Sequence, residues 1–548
     1  MVSGVAIAGR ERHSKTRAPS LTGRASLNAL AALLDYAAKL AVGFVVTPIV
    51  VAGLGRSLYG AWEMLNRLVT YMSAADGRPT EALRLIIANR RDGADAEQRR
   101  AVGAALMVWV IFLPVVAVLG AVFIWFAPAI THVPPALNGI VRITTGLLIV
   151  TLIVTLLAEV PESALHGMNI GYRQLGLQAS LNVVGGLLTV AAVRGGSLLL
   201  MSLLAGLSVM GGLLTVAAMR DGLGLIGLAA TQIVLAVVAG GMFLALARRH
   251  IPWFGVARPS RGDVKVVLSM SAWLTAGDMV TKVLLASDVL ILGMLVAPAV
   301  VTSYVLTGYA ARTAMGIHVL VASAAMPGVG GLIGRGELAR VALLRRELQT
   351  LTWLFVTAVG ATILVWNHAF LGLWVGEQNY GGGWVDVLIV LLGVQTAFIR
   401  SDAYIIDAAL QPRPRVIASG AAAIVSIGLA IPLTIAFGTI GLCLGLLAGR
   451  TVQSIVYPRL VRSFLVEDAA PRAGRHVVRL FTVLAVILAS AALLGRAITV
   501  PSWPLWIGGV VITGCLTSVV AFALGLPRAD RRAVIERVQA LLPAYGSA

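Results

Sequence analysis

The chain has 548 residues, 58% of them hydrophobic and 12% charged, about half the charged fraction of a soluble globular protein. In a soluble chain the net charge of +19 would point to nucleic acid. Here the cations sit in short clusters between apolar segments, which the positive-inside rule explains without any nucleic acid. The two cysteines, Cys443 and Cys515, lie in apolar segments, which excludes a disulfide framework and a cysteine metal site.

In chain order, residues 1–26 carry Arg10, Arg12, Lys15, Arg17 and Arg24, with no apolar core before Leu27. They read as a basic cytoplasmic tail and not as a cleavable signal peptide. About 20 apolar residues cross a bilayer. The segments that qualify are 27–52, 57–75, 101–126, 139–160, 175–193, 196–219, 223–247, 264–296, 301–327, 349–371, 384–409, 416–436, 440–465, 480–498 and 503–526. The second is the least apolar, interrupted by Glu63, Asn66 and Arg67. The stretches between segments alternate in charge. Residues 1–26, 76–100, 248–265, 332–347, 411–415, 459–479 and 528–537 hold 31 of the 43 Lys and Arg, whereas the intervening short turns hold only Arg56 and Arg496. This asymmetry predicts an inner-membrane protein with both termini in the cytoplasm.

Residues 173–248 lie between two cytoplasmic markers and need an even number of crossings, yet they hold three apolar segments. Leu181–Arg194 reads LNVVGGLLTVAAVR and Leu207–Arg220 reads LSVMGGLLTVAAMR, 26 residues further on. A local tandem duplication explains the extra segment, which must then be re-entrant, peripheral or half-inserted. Without it the expected count is 14.

A longer repeat is more informative. Asp35-x-x-x-Lys39 opens one half and Asp278-x-x-x-Lys282 the other, each followed by a short turn and a tyrosine, Tyr59 or Tyr304. The predicted fold is an all-α polytopic membrane protein of about 14 transmembrane helices in two pseudo-symmetric lobes, 27–250 and 260–465, with one extra duplicated apolar segment. Two additional helices follow at 480–526. In the tail 528–548, Val534, Ile535, Val538, Leu541 and Leu542 oppose Arg532, Glu536 and Arg537, an amphipathic helix suited to the cytoplasmic membrane surface. In transporters built from two halves the substrate site lies between them.

A charge at a helix centre costs roughly 2.5–3.5 kcal/mol on insertion scales, so the charges inside spans are the signal to follow. Asp35 and Lys39, Glu63 and Arg67, and Asp278 and Lys282 each stand at i and i+4 and can pair along a helix face. Internal ion pairs would account for them; the recurrence of the Asp–Lys pair in both halves favours helices that line a polar cavity, whereas the Glu63–Arg67 face suits a cavity and a neighbouring helix equally. Arg312 and Arg450 sit mid-span, with Gln453 on a neighbouring face of the Arg450 helix. Arg400 stands with Asp402 and Asp407 in the inner half of its span, and Asp288 lies near the middle of another. Arg142, close to an outer helix end, is explained by snorkelling. The expected site thus uses Lys39, Arg67, Lys282, Arg312, Arg400 and Arg450 as substrate-binding cations. Asp35, Glu63, Asp278, Asp288 and Asp402 are its ion-pair or coupling acids. Such an interior suits an anionic ligand, because Arg and Lys pair strongly with phosphate oxygens. Pro48, Pro114, Pro161, Pro327 and Pro432 fall in or at the ends of spans and bend helices. The seven histidines form no H-E-x-x-H pair, no P-loop is present, and the outer turns are too short to build an enzyme site. No catalytic residue, metal or cofactor is expected.

Leu54–Trp62, LGRSLYGAW, resembles the LGxxxYGxW turn of polysaccharide flippases. Ser287–Ile291 followed by Tyr304 is similar to the start of their second lobe. Phe370–Gly376, FLGLWVG, resembles their FLxLWxG outer turn, and His166–Arg173, HGMNIGYR, their inner turn after the fourth helix, with looser spacing. Across residues 25–465 the order of these motifs resembles the Wzx-type oligosaccharide flippases of the multidrug/oligosaccharidyl-lipid/polysaccharide superfamily; the 26-residue repeat departs from their pattern. The resemblance implies two six-helix lobes around a central cationic cavity. It implies alternating access, often driven by an ion or proton gradient, and an undecaprenyl-diphosphate-linked oligosaccharide as substrate, with polysaccharide polymerase and glycosyltransferases as partners. A multidrug extruder of the same superfamily is the alternative, disfavoured by the basic interior. A membrane polymerase or ligase is a further one, and would need a larger outer loop.

Overall fold

The computed structural model describes residues 21–89, 94–172, 224–324, 326–465 and 474–527, with a few isolated positions besides. The basic tail up to residue 20, the repeat at 181–220 and most of the expected helix at 528–542 lie outside these residues. The described residues form helices and no strand, and ten of the helices are long and apolar enough to cross a membrane.

The first helix, α1, runs Leu21–Met72, 52 residues. At 1.5 Å per residue that is about 78 Å, more than twice the roughly 30 Å hydrocarbon core. It is therefore two crossings, separated at Gly55, whose φ of 74° and ψ of 169° suit only glycine. Next come α2 (Pro79–Asn89), α3 (Asp95–Thr131), α4 (Asn138–Gly167) and α5 (Gly224–His250). The second half opens with α6 (Arg261–Leu295). A crossing broken at Gly308 follows, with α7 (Pro298–Thr307) before the break and α8 (Tyr309–Ala324) and α9 (Met326–Gly334) after it. Then come α10 (Leu338–Trp374), α11 (Gly383–Ala408), α12 (Pro412–Leu465), α13 (Gly474–Gly495) and α14 (Trp503–Val520).

The 54 residues of α12 are again two crossings, reversed at Gly438 with φ 58° and ψ −134°. Close approaches show the chain folded back on itself. A Cβ added to Gly441 would lie 1.8 Å from the Leu433 carbonyl, one on Gly445 2.4 Å from Ala430 Cα, and one on Gly449 1.8 Å from Ser426 Oγ. The partners recede in opposite directions from Gly438, as in an antiparallel hairpin. Glycines every fourth residue let the two backbones touch, the small-xxx-small solution used where lipid gives no hydrophobic drive to helix pairing. Gly445→Leu is expected to lower stability by about 3 kcal/mol, the upper range for overpacking. Gly420→Leu, at a position with open space, should be nearly neutral; thermal unfolding in detergent compares the two.

Several stretches that hydropathy reads as loops are partly helical. Residues 76–100 contain α2 and the start of α3, and 332–347 contain the end of α9 and the start of α10. Their charges end an apolar window without ending the helix. α2 turns Ala82, Leu83, Ile86 and Ile87 into a core with residues of α3, α4 and α5. α13 packs on α10 through Leu484, Leu488 and Ala491 against Ala361, Leu364 and Val365, and α14 meets α10 where the Trp366 indole N–H donates to Thr513 Oγ1 at 2.9 Å.

Candidate functional site

Val267 of α6 joins residues of α2, α3, α4 and α5 in one apolar cluster. Near Gly55 the halves meet through another. It joins Val50, Tyr59, Trp62 and Leu65 to Val289, Leu292, Tyr304, Leu306 and Trp374. Polar bridges stitch the same seam. Arg56 donates to Ser303 Oγ at 2.6 Å, Thr302 Oγ1 to the Arg56 carbonyl at 2.6 Å, and the Tyr36 hydroxyl to the Thr313 carbonyl at 2.8 Å. A further bridge follows from a proline. Pro48 lacks the N–H that would bond the carbonyl four residues back, which is that of Phe44. The indole N–H of Trp374 donates to that carbonyl at 2.7 Å. A group that lipid would leave bare is thus satisfied by the opposite half.

The residues singled out in the sequence fall into separate places. Asp35 and Lys39 pair at 2.7 Å, with the Lys39 side chain 50% exposed; Glu162 lies within electrostatic reach of both. Asp278 and Lys282 also pair, at 2.6 Å, but they are bound to the first half. Arg78 approaches Asp278 at 3.4 Å, and the Lys282 ammonium donates to Ser73 Oγ at 2.6 Å. The two Asp-x-x-x-Lys repeats are therefore alike in sequence and unlike in surroundings. Next to this bridge, burial pushes the Asp76 carboxyl above the usual carboxylate range, against the opposing pull of Arg78 and Lys282.

In the second half, Arg400 and Arg450 line one small cavity of about 40 Å³ between α6, α11 and α12. Arg415, Ser419, Gln453 and Tyr457 line it too. Arg450 donates to Thr396 Oγ1 at 2.6 Å, and Gln453 to Ser419 Oγ at 3.2 Å and the Tyr457 hydroxyl at 3.1 Å. Arg415 pairs with Asp407. Asp288 lies within electrostatic reach of Arg450 and accepts from the Tyr304 hydroxyl at 2.9 Å. Three guanidinium groups thus stand against two acids.

The remaining candidates are placed elsewhere. Asp402 is buried against Arg345 of α10, two bonds of 2.8 and 3.0 Å, and accepts a third from Gln349 at 3.3 Å. Arg312 turns back on its own chain and donates to the Val305 carbonyl beside the break at Gly308. Glu63 neighbours the Tyr59 hydroxyl one turn back rather than pairing with Arg67, and both are half-buried. Sequence reasoning missed Arg415, which it read as loop charge. Pro412, at the first helical position where proline is favoured, was the signal that Arg415 already belongs to the next helix. Arg78, Ser73 and Arg345 carried no such signal.

Asp278→Asn removes the acid shared by Arg78 and Lys282. With Cys443 and Cys515 replaced, it is expected to raise thiol-reagent labelling of a cysteine at the buried Ala74 several-fold. Unchanged labelling would show that the bridge holds nothing shut.

No family model and no curated protein matches the chain. Solved structures do match. An inward-facing multidrug resistance MATE family transporter of the MOP superfamily is 14% identical, covers 80% of this chain and 100% of its own, and has a TM-score of 0.61. The lipid II flippase MurJ in an inward closed conformation is 10% identical, covers 94% and 99%, and has a TM-score of 0.62. A MOP superfamily transporter from Pyrococcus furiosus, described by the reverse polarity of its binding pocket, is 15% identical, covers 81% and 96%, and has a TM-score of 0.54. The chain has the polytopic helical fold of MOP superfamily transporters and flippases.

Proposed function

We propose that the chain is a flippase that carries an undecaprenyl-diphosphate-linked oligosaccharide from the inner to the outer leaflet of a bacterial inner membrane, by alternating access, for exopolysaccharide, capsule or O-antigen assembly. The observation that carries the reading is the convergence of Arg400, Arg415 and Arg450 on one cavity. Charge-assisted bonds from arginine to phosphate oxygens are among the strongest available to a protein, and often bidentate. At about 40 Å³ the cavity is too small for a diphosphate as it stands. Admission requires α6, which closes it through Thr281, Leu284 and Leu285, to draw back. An apolar cavity of about 560 Å³ lined by Phe44, Tyr309, Trp366, Phe370 and Trp506 offers a place for an isoprenoid chain. No bond of the substrate is made or broken.

Coverage favours the lipid carrier. The lipid II flippase covers 94% of this chain against 80–81% for the MATE structures, a difference large enough to hold α13 and α14. One feature favours cation export instead: the aromatic lining of the 560 Å³ cavity would also attract a lipophilic cation. Deletion of the gene, with analysis of surface polysaccharide and lipid-linked sugars by leaflet, separates the readings. Loss of polysaccharide with full-length repeat units trapped in the inner leaflet is the expected result. Normal polysaccharide with altered drug tolerance would move the assignment to cation export. Units that reach the outer leaflet unpolymerised would indicate an enzyme.

A further inference from the structure

A second polar cavity, of about 350 Å³, lies away from the arginine cluster, between α10, α11 and α13 at the end of the molecule that holds Gly55. His368, Tyr380, Trp384, Asp386 and Arg496 line it. Its composition differs from that of the arginine cavity. Trp384 is 64% exposed and forms a ring wall, with the Arg496 guanidinium 5.5 Å from its centroid. The His368 and Tyr380 rings meet with centroids 4.8 Å apart. Asp386 is buried and fixed by Asn367 at 2.8 Å and by the Tyr380 hydroxyl at 3.4 Å. Flat aromatic faces beside donors and acceptors at a cavity rim are what a sugar ring requires. Its C–H face lies against an aromatic ring, and its hydroxyls exchange hydrogen bonds with planar polar side chains. The volume is at the small end of the roughly 300–1,000 Å³ range of ligand pockets, room for one or two hexose rings.

The cavity is also wired to the broken crossing. Asn367, which holds Asp386, donates to the Thr307 carbonyl at 2.9 Å. The Gly381 N–H in the loop at the rim donates to Thr307 Oγ1 at 2.7 Å. Thr307 is the last residue of α7, next to the Gly308 break. We propose that this cavity is a saccharide-binding site distinct from the arginine cavity. It rests on the lining chemistry and not on the transport reading, so it can stand or fall separately. A second Trp–Arg pair provides the contrast. Arg142 lies 4.6 Å from the centroid of Trp125, an exposed ring suited to anchoring at a membrane interface.

The test uses the purified full-length chain in zwitterionic nanodiscs, titrated with cellobiose, N,N′-diacetylchitobiose and digalacturonate, and read by saturation-transfer NMR. At least one of the three is expected to bind in the millimolar range. Trp384→Ala and Arg496→Ala, both at the exposed rim, are each expected to weaken that binding by about tenfold. Trp125→Ala should leave it unchanged. No saturation transfer to any of the three sugars would overturn the proposal. So would equal binding by wild type and both rim variants, or, in a parallel set of nanodiscs containing anionic lipid, a rim-dependent response to that lipid without any to sugar, which would make Trp384 and Arg496 a headgroup anchor.

Discussion

Arg450→Ala is expected to slow transfer of a diphosphate-linked oligosaccharide between leaflets about a hundredfold in proteoliposomes, with protein abundance and unfolding temperature little changed. A charged hydrogen bond contributes roughly 1.5–3 kcal/mol, and each 1.4 kcal/mol is about a factor of ten. Arg450 is held by Thr396 Oγ1 and shares its cavity with Arg400 and Arg415. Arg450→Lys keeps the charge but loses the planar fork that matches phosphate geometry, so partial activity is the expected result. Wild-type rates in Arg450→Ala and Arg415→Ala would remove this cavity from the transport path.

The second large effect is on folding. Asp402→Ala removes the carboxylate that accepts two hydrogen bonds from the buried Arg345 guanidinium, in a site where the two side chains are only 6% and 4% exposed. Breaking a buried pair from one side costs about 3–5 kcal/mol, and Asp402→Ala is expected to lose about that much in denaturant unfolding. Replacing both partners together, Asp402→Leu with Arg345→Met, should recover most of it, because well-packed apolar residues substitute for such pairs at little cost. An unchanged midpoint in the single variant would mean that α10 and α11 do not depend on the pair. Transport by the double variant is expected to stay near normal, which separates Asp402 from the arginine cavity.

The contrast between these residues shows what was legible. The helical crossings of the second half agree with the hydropathy segments to within a few residues at most ends, because apolar runs and lipid thickness decide them. The reversal at Gly438 was foreshadowed by the gap between segments 416–436 and 440–465. Local pairs were visible too: Asp35 with Lys39 and Asp278 with Lys282 lie one turn apart. Long-range partners were not. Nothing in the spacing ties Asp402 to Arg345, 57 positions away, or Lys282 to Ser73, 209 away. Hydropathy also reads a helix that continues past the bilayer as a loop. For this reason Arg345 and Arg415 were placed among loop charges, although one sits in a buried pair and the other lines the arginine cavity.

The hydrogen bond from Trp374 to the Phe44 carbonyl sets a condition on any motion of the two halves. Pro48 leaves that carbonyl without a partner in its own helix, and the partner it has belongs to the other half. If the seam near Gly55 parts, the bond breaks and an unsatisfied carbonyl would cost several kcal/mol in hydrocarbon. The parted conformation is accessible only if water reaches Phe44, so hydration of the opening has to accompany the motion and cannot trail behind it. The first crossing therefore acts as a latch whose release requires solvent, and a Trp374→Phe chain should rest with that latch already undone.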